Sequence, residues 1–225
     1  MDHADLRQQL VRHANRLQPL GLATGTSGNL SVRIPGGSGG GAHGGMLITP
    51  SGIAYDTLQP ADMVAVQFTG PGTATWQHAL DPSSEWAMHQ AVYQARPEAG
   101  AVVHGHPTYA TVLAIQGLEI PALHYMVAAA GGAPIRCAPY HTYGTAALSA
   151  AAVAALQGRK ACLLEHHGLL AFEHNLDKAM WLAGEVETLA QQMVMCLPLG
   201  GPRLLPADEI DRVVEKFSRY GLKQR

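Results

Sequence analysis

Two histidines, His104 and His106, stand two residues apart in the run AVVHGHP. Residues 101–104 read as a strand, and a strand places residues i and i+2 on one face. Both imidazoles can then address one ion, and Gly105 between them adds no competing side chain. Imidazole nitrogen suits zinc and other borderline divalent metals. A second pair, His166-His167, follows another apolar strand read over 161–165. Neighbouring strand residues face opposite ways, so only one of this pair should join the same site. Its nitrogen would complete a three-histidine centre with an open position. Ordinary core or surface histidines are the plain alternative at these spacings.

Glu85 follows two serines in PSSEWAMHQ. The run predicts a helix over about 84–95, with Ser83 or Ser84 as its cap. A first-turn acid is favoured by the helix dipole alone. The chemical reading makes Glu85 a general acid/base, or a displaceable fourth ligand, beside the metal. Ser83 and Ser84 can be caps, or can bind phosphate together with the free N–H groups of the helix end. The stretch GTSGNLS at 25–31 lacks both GxGxxG and GK[ST], so it is neither a dinucleotide fingerprint nor a Walker A loop. Its glycines with Thr26, Ser27 and Asn29 can form an N–H nest for an anion or an ordinary turn. The same choice holds for Thr49-Pro50-Ser51-Gly52.

These residues need elements to hold them. Leu6, Leu10, Ala14 and Leu17 recur at helical spacing and predict a helix over about 3–18. Strands are read over 30–34, 46–49 and 63–68, the first two joined across the glycine-rich segment 36–45. Helices are read over 146–157 and 176–195, and a capped helix lies in LPADEIDRVVEKFSRYGL. Clean βαβ alternation is missing because the first half is hairpin-like. Strands and helices mix throughout, which favours one α/β or α+β domain.

Composition excludes several classes. The 225 residues are 47% hydrophobic, enough for a sizeable core. Charged residues make up only 14%, and 15 Lys plus Arg against 17 Asp plus Glu leave a formal net charge of −2. That balance argues against wholesale nucleic-acid binding, which needs a concentrated basic face. Cys137, Cys162 and Cys196 are odd in number and lack CxxC spacing, so neither a disulfide framework nor a cysteine zinc finger is expected. The polar start MDHADLRQQL is no secretory signal. No apolar run reaches the ~18 residues of a membrane span. A cytoplasmic protein without membrane or nucleic-acid partners is the resulting expectation.

Longer stretches carry a resemblance. GTSGNLSVR, MLITPSGIAY, PSSEWAMHQAVYQARPEAGAVVHGHP, IPALHYMVAAAGG, CAPYHTYGT, LLEHHGLLAFEHNLDKAMWLAGEVETLAQ and VVEKFSRYGL span nearly the whole chain in order. Together they resemble the class II, zinc-dependent sugar-phosphate aldolases of the L-fuculose-phosphate aldolase type, a family that also holds L-ribulose-5-phosphate 4-epimerases. The glycine-rich 36–45 segment is the main departure. The resemblance implies a single domain over 1–225, a three-layer α/β/α fold with a central, mostly antiparallel sheet of the class II aldolase/adducin-like kind. It implies one Zn²⁺ per subunit on His104, His106 and His167, with Co²⁺ or Mn²⁺ as possible substitutes and Glu85 as an exchangeable ligand. His166 should face elsewhere.

By the same resemblance Glu85 is the catalytic acid/base, and Thr26, Asn29, Ser51, Gly52, Ser83 and Ser84 line a phosphate pocket. Tyr125 resembles a proton donor contributed by a neighbouring subunit, and Tyr220 a C-terminal tyrosine closing over a neighbouring site. A homotetramer with sites between subunits is implied. The implied reaction is reversible cleavage of L-fuculose 1-phosphate, or a similar ketose 1-phosphate, to dihydroxyacetone phosphate and L-lactaldehyde. The nearest rival is L-ribulose-5-phosphate 4-epimerisation, but family epimerases carry Asp where Glu85 stands. Related rivals are dehydration of 5-methylthioribulose 1-phosphate and decarboxylation of a keto-acid phosphate. A non-enzymatic interaction domain like the adducin head is the alternative of another class, and retention of the three histidines with Glu85 argues against it.

Overall fold

A computed structural model describes residues 3–36 and 44–219, the side chains of residues 218 and 219 excepted. The heart of the 36–45 segment and Tyr220 lie outside the described residues. The strands are β1 (Asn29–Ile34), β2 (Gly45–Ile48), β3 (Val64–Gly70), β4 (Thr73–Thr75), β5 (Ala101–Gly105), β6 (Cys137–Ala138), β7 (Ala161–Leu164) and β8 (Gly168–Glu173). They form one sheet in the order β4-β3-β2-β1-β5-β8-β7-β6. Every pairing is antiparallel except β6 with β7.

The helices are α1 (Ala4–Leu17), α2 (Trp86–Ala95), α3 (Thr108–Ile115), α4 (Ala146–Ala155), α5 (Leu176–Cys196) and α6 (Ala207–Arg219). Strand alternation sends side chains to two separate cores. Leu30, Val32, Ala101, Val103, Leu163 and Leu169 meet α1, α3 and α5 on one face. Met46, Val64, Val66, Val102, Leu164 and Leu170 meet α2 and α4 on the other. The architecture is thus a single-domain α/β/α sandwich.

Three readings are corrected. The segment after His167 is a strand: β8 lies between β5 and β7 in the sheet centre. His166 and His167 therefore sit in the three-residue turn of a β7–β8 hairpin, and strand alternation is not what separates them. His166 takes the left-handed conformation, φ 54°, as the third residue of the turn that the His167 N–H closes on the Leu164 carbonyl at 3.0 Å. The cap of α2 is Glu85 itself, without a side-chain capping bond. Ser83 instead accepts a hydrogen bond from the Glu85 backbone N–H, Oγ to N 3.3 Å. Short strand β4 was also not anticipated. All three cysteines are free thiols.

Candidate functional site

The site grows from the α2 side of the sheet. Asn29 pairs with His104 across β1 and β5, and Ser31 pairs with Val102. Directly paired antiparallel residues project to the same face, so Asn29, Ser31 and His104 all point towards α2. His104 is fully buried, and its Nδ1 donates to the Leu169 carbonyl on β8 at 2.8 Å. A carbonyl only accepts, so Nδ1 carries the hydrogen and Nε2 faces the site. His106 lies just beyond β5, where its backbone N–H donates to Leu22 at 2.9 Å. His167 comes in from the β7–β8 turn.

Two glycines permit this convergence. A Cβ on Gly168 would stand 2.3 Å from the Gly105 carbonyl oxygen and 2.8 Å from the His106 ring. Gly28, at φ 88°, leads into Asn29; a Cβ there would meet the His104 carbonyl oxygen at 2.9 Å. Both positions require the missing side chain.

The imidazole rings of His104, His106 and His167 stand edge to face, with centroids 4.7, 4.8 and 4.9 Å apart. His104 Nε2 lies 2.9 Å from His106 Nε2. Glu85 closes the group: Oε2 is 3.1 Å from His104 Nε2 and Oε1 is 3.4 Å from His167 Nε2. One ligand atom from each of the four residues lies within 4.8 Å of every other. A tetrahedral ion with bonds of about 2.0–2.2 Å separates its ligand atoms by roughly 3.3–3.6 Å. The donor set is three nitrogens and a carboxylate, and Glu85 Oε1 is buried without a hydrogen-bond partner among the described residues. These residues fit a divalent borderline metal. They form a clustered site able to coordinate one, while His166 is not part of the cluster.

Charge in the cluster is arranged accordingly. Burial pushes the Glu85 carboxyl up, but His104, His167 and the Asn29 amide overcome it and hold it well below the usual carboxylate range. Burial, helped by the charge of His104, lowers both His106 and His167 to about 4. Burial also lowers His104, yet the adjoining Glu85 carboxylate wins and leaves it raised. Neutral imidazoles at His106 and His167 present lone pairs, as metal ligation demands.

Glu85, His106 and His167 open onto a cleft of ≈ 340 Å³. Thr26, Asn29, Ser51, Gly52, Ser83 and Ser84 all line it. Their segments are tied together locally. The Ser83 N–H donates to the Thr49 carbonyl at 3.0 Å and the Ser51 N–H to the Asp81 carbonyl at 3.1 Å. Tyr55 hydroxyl bonds the Ser27 and Gly28 carbonyls at 2.7 and 2.8 Å, which fixes the glycine loop. No Lys or Arg lines the cleft among the described residues.

Tyr125 is not brought there within one chain. It lies in a short 3₁₀ helix, 50% exposed, with its ring on His124 at 4.6 Å. Sequence reasoning missed three lining residues, Tyr140, His141 and Tyr143, and His166, expected to face elsewhere, stays out of the ligand cluster but lines the same cleft. The aromatic cluster in CAPYHTYGT was the available signal. It also missed the buried His89 behind Asn29.

Comparison with known proteins agrees with this geometry. Residues 8–194 match the family model described as class II aldolase and adducin N-terminal domain. A 5-methylthioribulose-1-phosphate/5-deoxyribulose-1-phosphate aldolase of Rhodospirillum rubrum is 50% identical over 216 residues, covering 96% of this chain and 92% of that protein. An L-fuculose phosphate aldolase of Escherichia coli is 46% identical over 224 residues, covering 99% of each. A solved L-fuculose 1-phosphate aldolase structure superposes with TM-score 0.87 at 39% identity, covering 95% of this chain and 96% of that one. The chain belongs to the class II aldolase and adducin N-terminal domain family.

Proposed function

We propose that this family member catalyses reversible aldol cleavage of a ketose 1-phosphate to dihydroxyacetone phosphate and an aldehyde, with L-fuculose 1-phosphate and L-lactaldehyde as the pair. The observation that carries this reading is the Glu85 carboxylate held among three imidazoles at the floor of a cleft rimmed by hydroxyls. His104, His106 and His167 would hold the metal, Zn²⁺ first and Co²⁺ or Mn²⁺ as substitutes, with Glu85 exchangeable. When bound, such an ion supplies Lewis-acid polarisation of a carbonyl oxygen.

The chain's own residues do the rest. In the synthetic direction Glu85 takes a proton from the donor carbon next to the carbonyl, and the new carbon–carbon bond forms there. In cleavage Glu85 returns that proton to the donor carbon after the bond breaks. Glu85 Oε1, which has no hydrogen-bond partner among the described residues, is the oxygen available to carry it. Thr26, Asn29, Ser51, Gly52, Ser83 and Ser84 bind the phosphate through neutral donors, since no Lys or Arg lines the cleft among the described residues. Fixing the phosphate makes the proton transfer effectively unimolecular. Tyr125 of a neighbouring copy moves the hydroxyl proton at the aldehyde end, and Tyr220 closes over a neighbouring site, in a homotetramer.

The 50% identity to the Rhodospirillum rubrum protein favours a second reading, 5-methylthioribulose or 5-deoxyribulose 1-phosphate as substrate. The same bond cleavage then yields dihydroxyacetone phosphate with methylthioacetaldehyde or acetaldehyde. A panel of these three aldehydes with dihydroxyacetone phosphate decides between the readings by kcat/KM. L-Ribulose 5-phosphate serves as the epimerase control. Epimerisation without any aldol product would overturn the proposal, as would metal-free protein after purification with no uptake of Zn²⁺.

A further inference from the structure

From Glu85 and Asn29 at the floor of the cleft a buried chain of side chains runs back through His89 and Ser31 to Tyr93, three residues that the proposed reaction does not touch. His89 and Tyr93 share one face of α2, and Glu85, its cap, stands four residues before His89 at the head of that face. Asn29 and Ser31 share one face of β1. The two rows interlock. Tyr93 hydroxyl lies 2.7 Å from Ser31 Oγ, Ser31 Oγ lies 2.7 Å from His89 Nδ1, and His89 Nε2 contacts Asn29 Oδ1 at 2.5 Å. Asn29 Nδ2 donates to Glu85 Oε2 at 3.0 Å. Exposure is 0% for Ser31 and His89, 2% for Tyr93, 4% for Asn29 and 6% for Glu85.

The chemistry of the groups fixes every proton in this chain. A carboxylate only accepts, so Asn29 must turn its NH₂ to Glu85 and its Oδ1 to His89. Oδ1 also only accepts, so His89 must carry its hydrogen on Nε2. Burial holds the His89 ring neutral, its pKa lowered to about 3, which leaves Nδ1 bare. Ser31 must then donate to Nδ1 and receive the Tyr93 hydroxyl hydrogen. All the hydrogen bonds run one way, towards Glu85. An amide passes no proton under these conditions, so the chain is a clamp and not a proton path.

We propose that His89 is a positioning residue: its Nε2–H holds the Asn29 amide in the orientation that donates to Glu85 Oε2 and leaves Oε1 without a hydrogen bond. With the Nε2–H lost, Asn29 Oδ1 is left buried without its donor, the amide is no longer held from behind, and its hydrogen bond to Glu85 Oε2 loosens. The inference rests on Glu85 being the base.

Two substitutions separate positioning from mere filling of a buried polar site. In His89→Gln the terminal amide reaches the place of Nε2 and can still donate to Asn29. In His89→Asn the shorter amide reaches only the place of Nδ1 and meets Ser31. Both leave a polar group in the same packing, and comparable losses in Tm are expected. In the zinc-loaded enzyme, His89→Gln should keep kcat within about threefold, whereas His89→Asn should lower kcat about 10–100-fold. Bound metal should change little in either, and in His89→Asn the fall in kcat should exceed any rise in KM from the loosened Asn29. Equal kcat for the two variants, or a loss confined to KM, overturns the inference.

The wild-type protein supplies an independent reading that needs no variant to fold. Imidazole ¹⁵N spectra should show His89 with hydrogen on Nε2 and a bare Nδ1; the opposite tautomer overturns the inference. That tautomer does not depend on Glu85 acting as base, so failure of the clamp and failure of the base assignment are told apart.

Discussion

His104 and Glu85 at the floor of the cleft are 0% and 6% exposed, whereas Tyr140 and Tyr143 at its rim are 54% and 66% exposed. The floor stands on three adjacent central strands. Each polar group there is oriented by a neighbour: His104 by the Leu169 carbonyl, Glu85 by Asn29, Asn29 by His89. The rim comes from connecting segments whose side chains face solvent. The contrast teaches where each task is placed. A metal and a base need fixed geometry, which a sheet supplies. Recognition of the variable end of a substrate can sit on loops that rearrange or are completed by another chain. Tyr125, exposed in the single chain, would under the proposed function belong to the second kind of surface.

The strongest way to break this contrast is at the floor. His104→Ala should remove the metal and reduce cleavage to background, measured as metal content and kcat on the same preparation. The fold should persist, since Leu170 and Phe172 on β8 still pack against α2 and α4. Retained metal with lost activity would show that the floor is not one unit.

A smaller effect is expected from pH. In the metal-free protein His89 is held at about 3 and His106 and His167 at about 4 by burial, against about 6.5 when unfolded. The folded chain then binds fewer protons than the unfolded one, so these three contribute stability above pH 6.5 that is lost as pH falls towards 4. His104 is raised by Glu85 and opposes them, its contribution being present below 6.5 and lost at higher pH. Three groups outweigh one. The urea midpoint of chelated protein should be lower at pH 5 than at pH 7. Zinc-loaded protein should show a steeper fall, because protons compete with the metal for the imidazoles.

The smallest effect should come from the rim. Tyr143→Ala removes an exposed ring, so stability should stay within about 0.5 kcal/mol. Its mark should be on KM and on the order of preference among aldehydes, with proton exchange at the donor carbon unchanged. A large fall in exchange would move Tyr143 from rim to floor.

Much of the floor was legible in the residues. The His104/His106 spacing, the strand beneath it and the serine pair before Glu85 all follow from local periodicity. So does the placement of the 26–29, 51–52 and 83–84 segments at strand or helix ends, where the structure draws them into one cleft. Strand β8 was hidden because LLAF is a continuous apolar run, buried on both faces, without the alternation that marks a half-exposed strand. His89 was hidden for a different reason. A lone histidine on an apolar helix face looks like any core residue until the register of Asn29 against His104 is known. That register is a tertiary fact, as is the left-handed turn at His166 that separates it from His167.

The most direct test of the account is solvent hydrogen exchange into dihydroxyacetone phosphate, without aldehyde, by the Glu85→Gln variant loaded with zinc. The substitution keeps the size of the side chain and removes the base. Exchange should fall about 10²–10⁴-fold, together with aldol cleavage, while zinc bound through His104, His106 and His167 is retained. Wild-type exchange in a folded, zinc-loaded variant would contradict the account and move proton transfer to another residue.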